Sequence, residues 1–198
     1  MESHHRVTRG NGLLESWLAH LRARKANNLI PTHLREGRIL DIGCGSYPYF
    51  LTHTFFSEKF AVDQISPKIP QHDIEWYTLN LDNEPNLPFE AEFFSVVSML
   101  AVVEHLNPSN LVLLFNEVNR TLIPGGVLVI TTPAVWSNQL LKWMAKLHLV
   151  SEEEINDHVF LYTLPLLGWY FGRSGFDMRK IRFGYFEVFL NMWACAEK

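Results

Sequence analysis

The sequence predicts a single α/β domain with a mostly parallel β-sheet and an antiparallel hairpin at its C-terminal end. Short apolar segments rich in β-branched residues alternate with segments of helical periodicity, an order typical of strand–helix–strand units with right-handed crossovers. The segment FFSVVSML at residues 93–100 is nearly all apolar, as expected for a central parallel strand covered on both faces. The chain has 198 residues, 47% of them apolar and 19% charged, which is enough for one such domain with a substantial core.

The first half of the chain contains two predicted helices and four predicted strands. Residues 13–30 are expected to form an amphipathic helix, because apolar side chains recur at helical spacing at Leu14, Trp17, Leu18 and Leu21. A shorter helix is expected at YFLTHTFF, residues 49–56. Strands are predicted where β-branched and aromatic residues cluster between turn residues, at RILDIG (38–43), KFAVD (59–63), IEWYTLNL (74–81) and FFSVVSML (93–100).

The second half of the chain predicts two further helices, a fifth strand and the closing hairpin. One helix is expected to begin at residues 108–110 and to end at the Pro-Gly-Gly of residues 124–126, before the strand VLVITTP at 127–133. Residues 134–160 are expected to form a helical insertion, with a capping box in SEEE at residues 151–154. A helix in LPLLGWYFGRSGF, ending near Gly175, precedes two strands, in MRKIRFG and EVFLNMWACAE, joined by a tight connection.

Composition excludes several classes of function. The 17 basic and 21 acidic residues give a net charge of −4, which argues against a nucleic-acid surface built on bulk charge. The two cysteines are too few for a disulfide framework and fit a reducing compartment. No secretory signal is visible, and no apolar run reaches the ~18 residues of a membrane span. We therefore expect a cytoplasmic monomer or homodimer without a membrane span, with no metal and no nucleic-acid partner.

The glycine turn in RILDIGCGSYPYF, which follows the first predicted strand, indicates a ligand site. Glycine lets the backbone approach a ligand closely, but Pro48 stands where the dinucleotide fingerprint has its third glycine, and no Gly-Lys-Ser/Thr of a P-loop follows. Asp63 closes the second predicted strand, where a carboxylate can accept hydrogen bonds from two ribose hydroxyls. A turn and a ribose-binding acid without a diphosphate cradle favour a nucleoside with an amino-acid tail, and S-adenosyl-L-methionine is the obvious candidate.

Five motifs in register resemble those of class I S-adenosylmethionine-dependent methyltransferases. They are ILDIGCGS, FAVD, LPFEAEFFSVV, EHL and NEVNRTLIPGGVLVITTP, within residues 36–133, with a weaker similarity in SGFDMRKIRFGYFEVF. The pattern looks most like the small-molecule group that includes the ubiquinone and menaquinone biosynthesis enzymes. The resemblance implies a Rossmann-like, seven-stranded sheet with helices on both faces. It also implies one domain over 1–198, with an N-terminal helical region (1–34) and a helical lid (134–165), and S-adenosyl-L-homocysteine as product.

The resemblance also implies a cofactor-binding set. Asp41, Gly43 and Gly45 match the first motif and would lie beside the methionine and ribose. Asp63 matches the ribose-binding acid. Asn80 and Leu81 match the position that meets adenine, with Asp82 as the competing assignment for the acid, and the set also includes Cys44 and Gln64, although packing is an alternative role for Cys44. Two departures from the family pattern are Tyr47-Pro48 after the turn and Ser95 in place of an acid before the fourth strand.

Candidate catalytic residues follow the fourth predicted strand and lie in the predicted lid. Glu104 and His105 are read either as a general base with its supporting acid or as a local structural hydrogen bond. His158 and Tyr162 are further candidates, with ordinary surface or core positions as the alternative. Arg22 and Arg24 could meet the methionine carboxylate or lie on a solvated helix face.

The identity of the acceptor is narrowed mainly by motifs that the sequence lacks. No Asn/Asp-Pro-Pro-Tyr/Phe follows the fourth strand and no Pro-Cys nucleophile exists, so a small-molecule acceptor is favoured over a nucleic-acid base. The rival hypothesis is a cofactor-binding but catalytically silent module that acts through a protein partner. An apolar stripe is either core, a dimer contact, a lid, or a peripheral membrane contact; it comprises Trp136, Leu140, Leu141, Trp143, Met144 and Leu147.

Overall fold

The computed structural model describes residues 15–67, 69, 71–137 and 160–198. In chain order, its helices are α1 (Glu15–Leu29), α2 (Tyr49–Thr52), α3 (Pro108–Thr121) and α4 (Leu164–Arg173). Its strands are β1 (Arg38–Ile42), β2 (Glu58–Asp63), β3 (Ile74–Thr78), β4 (Phe94–Leu100), β5 (Leu122–Pro133), β6 (Ile181–Phe186) and β7 (Asn191–Glu197). Short 3₁₀ segments lie at Thr32–Glu36, Val103–His105, Val135–Ser137 and Met178–Lys180.

The seven strands form one sheet in the order β3-β2-β1-β4-β5-β7-β6. Strands β1 to β5 pair in parallel, whereas β7 pairs antiparallel with both β5 and β6. The predicted fold class, with its C-terminal antiparallel hairpin, is confirmed. The chain reverses its direction across the sheet at β1, which lies between β2 and β4, and open α/β sheets bind ligands at the carboxyl edge of such a switch point.

Two apolar layers cover the sheet because successive strand residues face opposite sides. In β1, Leu40 and Ile42 pack into the layer that includes α3 and α4, whereas Ile39 packs into the layer that includes α1. In β4, Val97 packs into the layer that includes α3 and α4, and Val96 packs into the layer that includes α1. Strand β4 is therefore buried on both faces of the sheet, as its sequence predicts.

Several predicted boundaries are corrected by the structure. Helix α3 begins at Pro108, where the Asn107 side chain accepts a hydrogen bond from the N–H of Ser109, but it ends at Thr121, before the Pro-Gly-Gly. Those residues lie inside β5, at a register shift between Phe94 and Val96 of the neighbouring strand. Gly126 is required there, because a Cβ would lie 3.0 Å from the carbonyl oxygen of Ser95.

Four further elements, α2, β3 and the two strands of the hairpin, are shorter than predicted. Helix α2 covers four residues rather than eight, and β3 ends at Thr78, three residues before Leu81. In the hairpin, MRK forms a 3₁₀ turn and EVFL forms the connection between the strands. The capping box at 151–154, His158 and the stripe beyond Trp136 lie outside the described residues, so the division into one domain with a lid at 134–165 stays a prediction.

Candidate functional site

The glycine turn after β1 is joined to the end of β2 by two hydrogen bonds. The N–H of Gly43 donates to the carbonyl oxygen of Val62 at 2.7 Å, and the N–H of Gly45 donates to Oδ2 of Asp63 at 2.8 Å. Gly43 and Gly45 have φ angles of +75° and +70°, in the left-handed region that glycine occupies without strain. The structure therefore brings together the two features from which a nucleoside ligand is predicted.

The two glycines serve different purposes. A Cβ on Gly43 would lie 2.4 Å from Cγ2 of Val102, so the absence of a side chain there permits packing between the turn and the segment after β4. A Cβ on Gly45 would meet no atom within 4 Å. Gly45 therefore faces open space at the carboxyl edge, where a ligand can approach the backbone.

Asp63 is held rigidly at the end of β2. It is buried, and its Oδ1 accepts a second hydrogen bond, from the N–H of Ile65 at 3.1 Å. A carboxylate oxygen can accept more than one hydrogen bond, which is the chemistry that a pair of ribose hydroxyls requires. Gln64, the next residue, is exposed.

Asp41 lies buried at the carboxyl end of β1. The hydroxyl of Ser98 in β4 donates to its Oδ1 at 2.6 Å. Burial raises the pKa of Asp41 to about 7; the Ser98 hydrogen bond opposes the rise and the charge of Asp63 adds to it. Cys44 lies nearby, its Sγ 3.7 Å from the carbonyl oxygen of Val62, and burial raises the pKa of its thiol well above the usual value. This environment fits packing rather than thiolate chemistry at Cys44.

The segment predicted to meet adenine forms a turn after β3. The side-chain oxygen of Asn80 accepts hydrogen bonds from the N–H groups of Asp82 and Asn83, and Leu81 is buried in the core. Asp82 accepts a hydrogen bond from the N–H of Asn107 at 2.6 Å, which ties this turn to the beginning of α3. Both polar side chains thus have structural partners, and their contact with adenine stays a prediction.

Ser95, which stands where the family pattern has an acid, lies away from the carboxyl edge of the sheet. Ser95 is the second residue of β4, and its hydroxyl lies 2.8 Å from the carbonyl oxygens of both Leu34 and Arg38. It therefore joins the chain before β1 to the opposite, amino edge of the sheet. A Cβ on Gly37 would lie 2.6 Å from its Oγ, which explains the glycine before β1.

Glu104 is anchored by neighbours from β5 and from the chain before α4. It is 1% exposed, its Oε2 accepts a hydrogen bond from the hydroxyl of Thr132 at 2.9 Å, and its carbonyl oxygen accepts one from the N–H of Phe160. Burial raises the pKa of the Glu104 carboxyl, while the charges of His105 and Arg22 oppose the rise. His105 follows in the same 3₁₀ segment and is half-buried.

Tyr162 is fully buried, and its hydroxyl makes no hydrogen bond among the described residues. Burial, followed by the charges of Tyr170, Glu104 and Asp82, raises the pKa of this hydroxyl. The ring of Tyr162 lies 5.1 Å from that of Phe160, whose N–H donates to the carbonyl oxygen of Glu104. Glu104, His105 and Tyr162 therefore occupy one region, whereas His158 lies outside the described residues.

Sequence reasoning missed two residues in this region. Thr132 is the partner of Glu104, and Glu187, between β6 and β7, accepts a hydrogen bond from the side-chain amide of Asn191. Both residues lie within segments that resemble the family, NEVNRTLIPGGVLVITTP and SGFDMRKIRFGYFEVF, but nothing in those segments indicates their partners, and only the pairing of β5 with β7 brings the hairpin connection to this edge.

Comparison with known proteins identifies the family. A family model described as "Methyltransferase domain" matches residues 14–181. The chain belongs to this family, which confirms the resemblance to methyltransferases of class I and the prediction of S-adenosyl-L-methionine as cofactor. The narrower likeness to quinone biosynthesis enzymes stays a prediction. No curated protein matches the sequence.

Solved structures share the fold at low sequence identity. An S-adenosylmethionine-dependent methyltransferase from Mesorhizobium loti is 18% identical, with a TM-score of 0.67 over 91% of this chain and 100% of that chain. A complex that contains the Haloferax volcanii Trm112 methyltransferase activator matches at 14% sequence identity, with a TM-score of 0.69 over 93% of this chain and 95% of the matched chain. Phosphoethanolamine N-methyltransferase 2 from Haemonchus contortus, in complex with S-adenosyl-L-methionine, is 14% identical. Its TM-score is 0.65, over 90% of this chain and 52% of that chain.

The described part of the chain contains neither a membrane-spanning helix nor a cluster of metal-ligating side chains. No helix there combines the length and apolar composition needed to cross a bilayer. No group of three or more potential metal-ligating side chains occurs in the same residues.

Proposed function

We propose that this protein transfers the methyl group of S-adenosyl-L-methionine to a small-molecule acceptor in the cytoplasm. The observation that carries the proposal is the hydrogen bond between the glycine turn and Asp63. The N–H of Gly45 is fixed to the Asp63 carboxylate, and open space adjoins Gly45. This arrangement fits a ligand that needs close backbone approach on one side and an acceptor for ribose hydroxyls on the other.

In this proposal, Asp63 binds the ribose hydroxyls, and Asp41 and the glycine turn contact the methionine portion. Asn80, Leu81 and Asp82 contact the adenine; the N–H of Leu81 donates to no other group among the described residues and is suited to a ring nitrogen. The cofactor supplies an activated methyl group on a sulfonium. The protein therefore has chiefly to hold the acceptor in line with it, and positioning of this kind contributes up to ~7–11 kcal/mol in well-oriented systems.

Glu104, His105 and Tyr162 are the proposed residues at the acceptor. Their place at the carboxyl ends of β4 and β5 supports this role, because parallel sheets bind ligands at that edge. Among them, the buried carboxyl of Glu104, whose pKa is raised by burial, is a stronger base than an exposed glutamate. Such a base contributes about 10²–10⁴-fold to rate.

The test is binding of S-adenosyl-L-homocysteine measured by calorimetry. We expect Asp63→Asn to weaken binding by about tenfold or more, because hydrogen bonds to a charged group are worth about 1.5–3 kcal/mol each. Asp73→Asn is the matched control, since this acid is exposed and paired with Lys59. Failure of the parent protein to bind would refute the proposal, as would equal affinities of the parent and Asp63→Asn.

A second candidate is a cofactor-binding module that acts through a protein partner. The structural neighbour that contains a methyltransferase activator favours this alternative. Turnover of labelled cofactor against a metabolite mixture separates the two functions: transfer by the isolated chain supports the enzyme, and cofactor binding without transfer supports the module.

A further inference from the structure

The connection between β6 and β7 carries apolar side chains that are exposed to solvent. Val188 and Phe189 are 87% and 64% exposed, and Tyr185, near the end of β6, is 43% exposed. The rings of Tyr185 and Phe189 lie 5.9 Å apart, so these side chains are neighbours rather than scattered. Single exposed apolar residues need no explanation, whereas a contiguous group marks a contact surface.

The segment after β5 extends this group. The N–H of Ala134 donates to the carbonyl oxygen of Leu190, the residue after Phe189, at 2.9 Å. Val135 and Trp136 follow Ala134 and are 41% and 54% exposed. This hydrogen bond therefore places two exposed apolar segments side by side. We call the combined surface the hairpin tip; it comprises Tyr185, Val188, Phe189, Val135 and Trp136.

The hairpin tip lies at the carboxyl edge of the sheet. Strand β5 runs parallel to β4, which in turn runs parallel to β1. Pro133, the last residue of β5, pairs with Asn191, the first residue of β7. The connection that precedes Asn191 therefore lies beyond the same edge as the glycine turn after β1.

The backbone of the connection is held in an unusual conformation. Glu187, Val188 and Phe189 have φ angles of +52°, +54° and +67°, in the left-handed region that residues with a Cβ rarely occupy. The N–H of Leu190 donates to the carbonyl oxygen of Glu187 at 3.0 Å, and the side-chain amide of Asn191 donates to the Glu187 carboxylate. These bonds fix the connection with Val188 and Phe189 exposed, and strain of this kind is concentrated at functional surfaces.

The size of the hairpin tip bears on what covers it. With about 200 Å² for each fully exposed aromatic side chain, and less for a valine, the exposed fractions of its five residues total less than about 600 Å². A stable protein interface takes about 800 Å² from each partner. The hairpin tip alone is therefore too small to hold a second copy of the chain.

The chemistry of the hairpin tip fits a lipid surface. Residues 133–137 and 185–191 contain one charged residue, Glu187, which is half-buried and bonded to Asn191. Tyrosine and tryptophan rings, which have an apolar body and a polar end, favour the boundary between lipid headgroups and acyl chains. Val188 and Phe189, the most exposed members, supply apolar side chains that can enter the acyl side of this boundary.

We propose that the hairpin tip docks the protein on a lipid bilayer by inserting its side chains at the headgroup–acyl boundary. The buried apolar area drives this docking, because the two segments contain no basic residue that could attract anionic lipids. Docking turns the carboxyl edge of the sheet toward the lipid. The proposal goes beyond the proposed function and does not depend on it.

Flotation of the full chain with phosphatidylcholine vesicles measures the docking. The parent protein should bind, and the double variant Val188→Asn/Phe189→Asn should lower the partition coefficient about tenfold or more, because two apolar side chains are lost. Asparagine tolerates the left-handed region better than valine or phenylalanine. The double variant should therefore be at least as stable as the parent in urea denaturation, which separates lost docking from misfolding.

Phe55→Asn is the matched control. Phe55 is 71% exposed, but it lies between α2 and the beginning of β2, at the amino edge of the sheet. Its replacement should leave the partition coefficient within about twofold of the parent value. Vesicles that contain phosphatidylglycerol should bind the parent no more tightly than vesicles of phosphatidylcholine alone.

The results that would overturn the proposal are distinct. Absence of binding to phosphatidylcholine vesicles would do so, as would equal partition of the parent and the double variant. Binding to anionic vesicles alone would assign docking to basic residues elsewhere. Dimerisation of the parent in sedimentation without vesicles, lost in the double variant, would assign the hairpin tip to a second copy. The double variant should bind S-adenosyl-L-homocysteine as the parent does, so docking and the proposed function can fail separately.

Discussion

Replacement of Asp41 by asparagine tests whether its carboxyl is neutral in the folded protein. Asp41 is buried at the end of β1, and burial is the main reason why its pKa rises to about 7 from the ordinary 3.8. Asparagine keeps the shape and retains an oxygen that can accept the hydrogen bond from Ser98. The variant therefore removes the titrating group with little change in packing.

The expected effect depends on pH. In the unfolded chain Asp41 ionises near pH 3.8, whereas in the folded protein it keeps its proton until about pH 7. Between these values only the unfolded state gains from ionisation, so this group lowers the free energy of unfolding as pH rises through the window and has no further effect above it. The pKa difference corresponds to about 4 kcal/mol. Asp41→Asn should therefore gain about 4 kcal/mol relative to the parent between pH 4 and pH 8.

Urea denaturation of both proteins without ligand, at pH 4, 5, 6, 7 and 8, measures this difference. Asp73→Asn is the control, because the hydrogen bond from Lys59 lowers the pKa of this exposed acid, and its loss should slightly destabilise the protein, by less than ~1 kcal/mol, above pH 4. Parallel stability curves for the parent and Asp41→Asn across this range would refute the reasoning, since an Asp41 that is ionised in both states contributes no pH dependence.

Three other predictions concern packing and strain. Gly43→Ala should lower the free energy of unfolding by about 3 kcal/mol, because the new Cβ clashes with Val102 and the backbone is left-handed. Gly45→Ala should lower it by only about 1–2 kcal/mol but should weaken S-adenosyl-L-homocysteine binding. Equal stabilities of the two variants in thermal denaturation would contradict this difference. Val188→Gly should gain about 1 kcal/mol, because this 87% exposed, β-branched residue has a φ of +54°; a loss in urea denaturation would count against strain there. Thr132→Val should cost about 1–3 kcal/mol by removing the hydrogen bond to buried Glu104, and an unchanged urea midpoint would rule this out.

The predictable part of the fold rests on local signals. The apolar run of β4, the glycines after β1 and the acid ending β2 each occupy a few consecutive residues, so single-sequence patterns locate them. Boundaries were less predictable where tertiary contacts override local preference. The Pro-Gly-Gly after α3 has the composition of a helix stop, but pairing with β4 draws it into β5 as an irregularity.

Within the candidate site, sequence patterns reveal which residue types are present but not what surrounds them. Gly43 and Gly45 look equivalent in the motif, yet one faces Val102 and the other faces open space. Asn80 and Asp82 have the expected chemistry, but both have hydrogen bonds within the protein. The contacts of Gly43 and Asp82 are with Val102 and Asn107, 59 and 25 positions away along the chain, whereas the hydrogen bonds that the side chain of Asn80 accepts are local.

By itself, the sequence determined the class of the protein. The alternation of strands and helices, the nucleoside-binding turn and its acid partner are encoded in short segments, and their spacing can be read directly from the sequence. Only the tertiary structure decided that Glu104, after β4, lies against Thr132 of β5, and that the hairpin connection lies beside the end of β5. The reason is physical: such proximity is set by strand order and by the antiparallel register of β7 on β5, and neither leaves a periodic trace in the residues concerned.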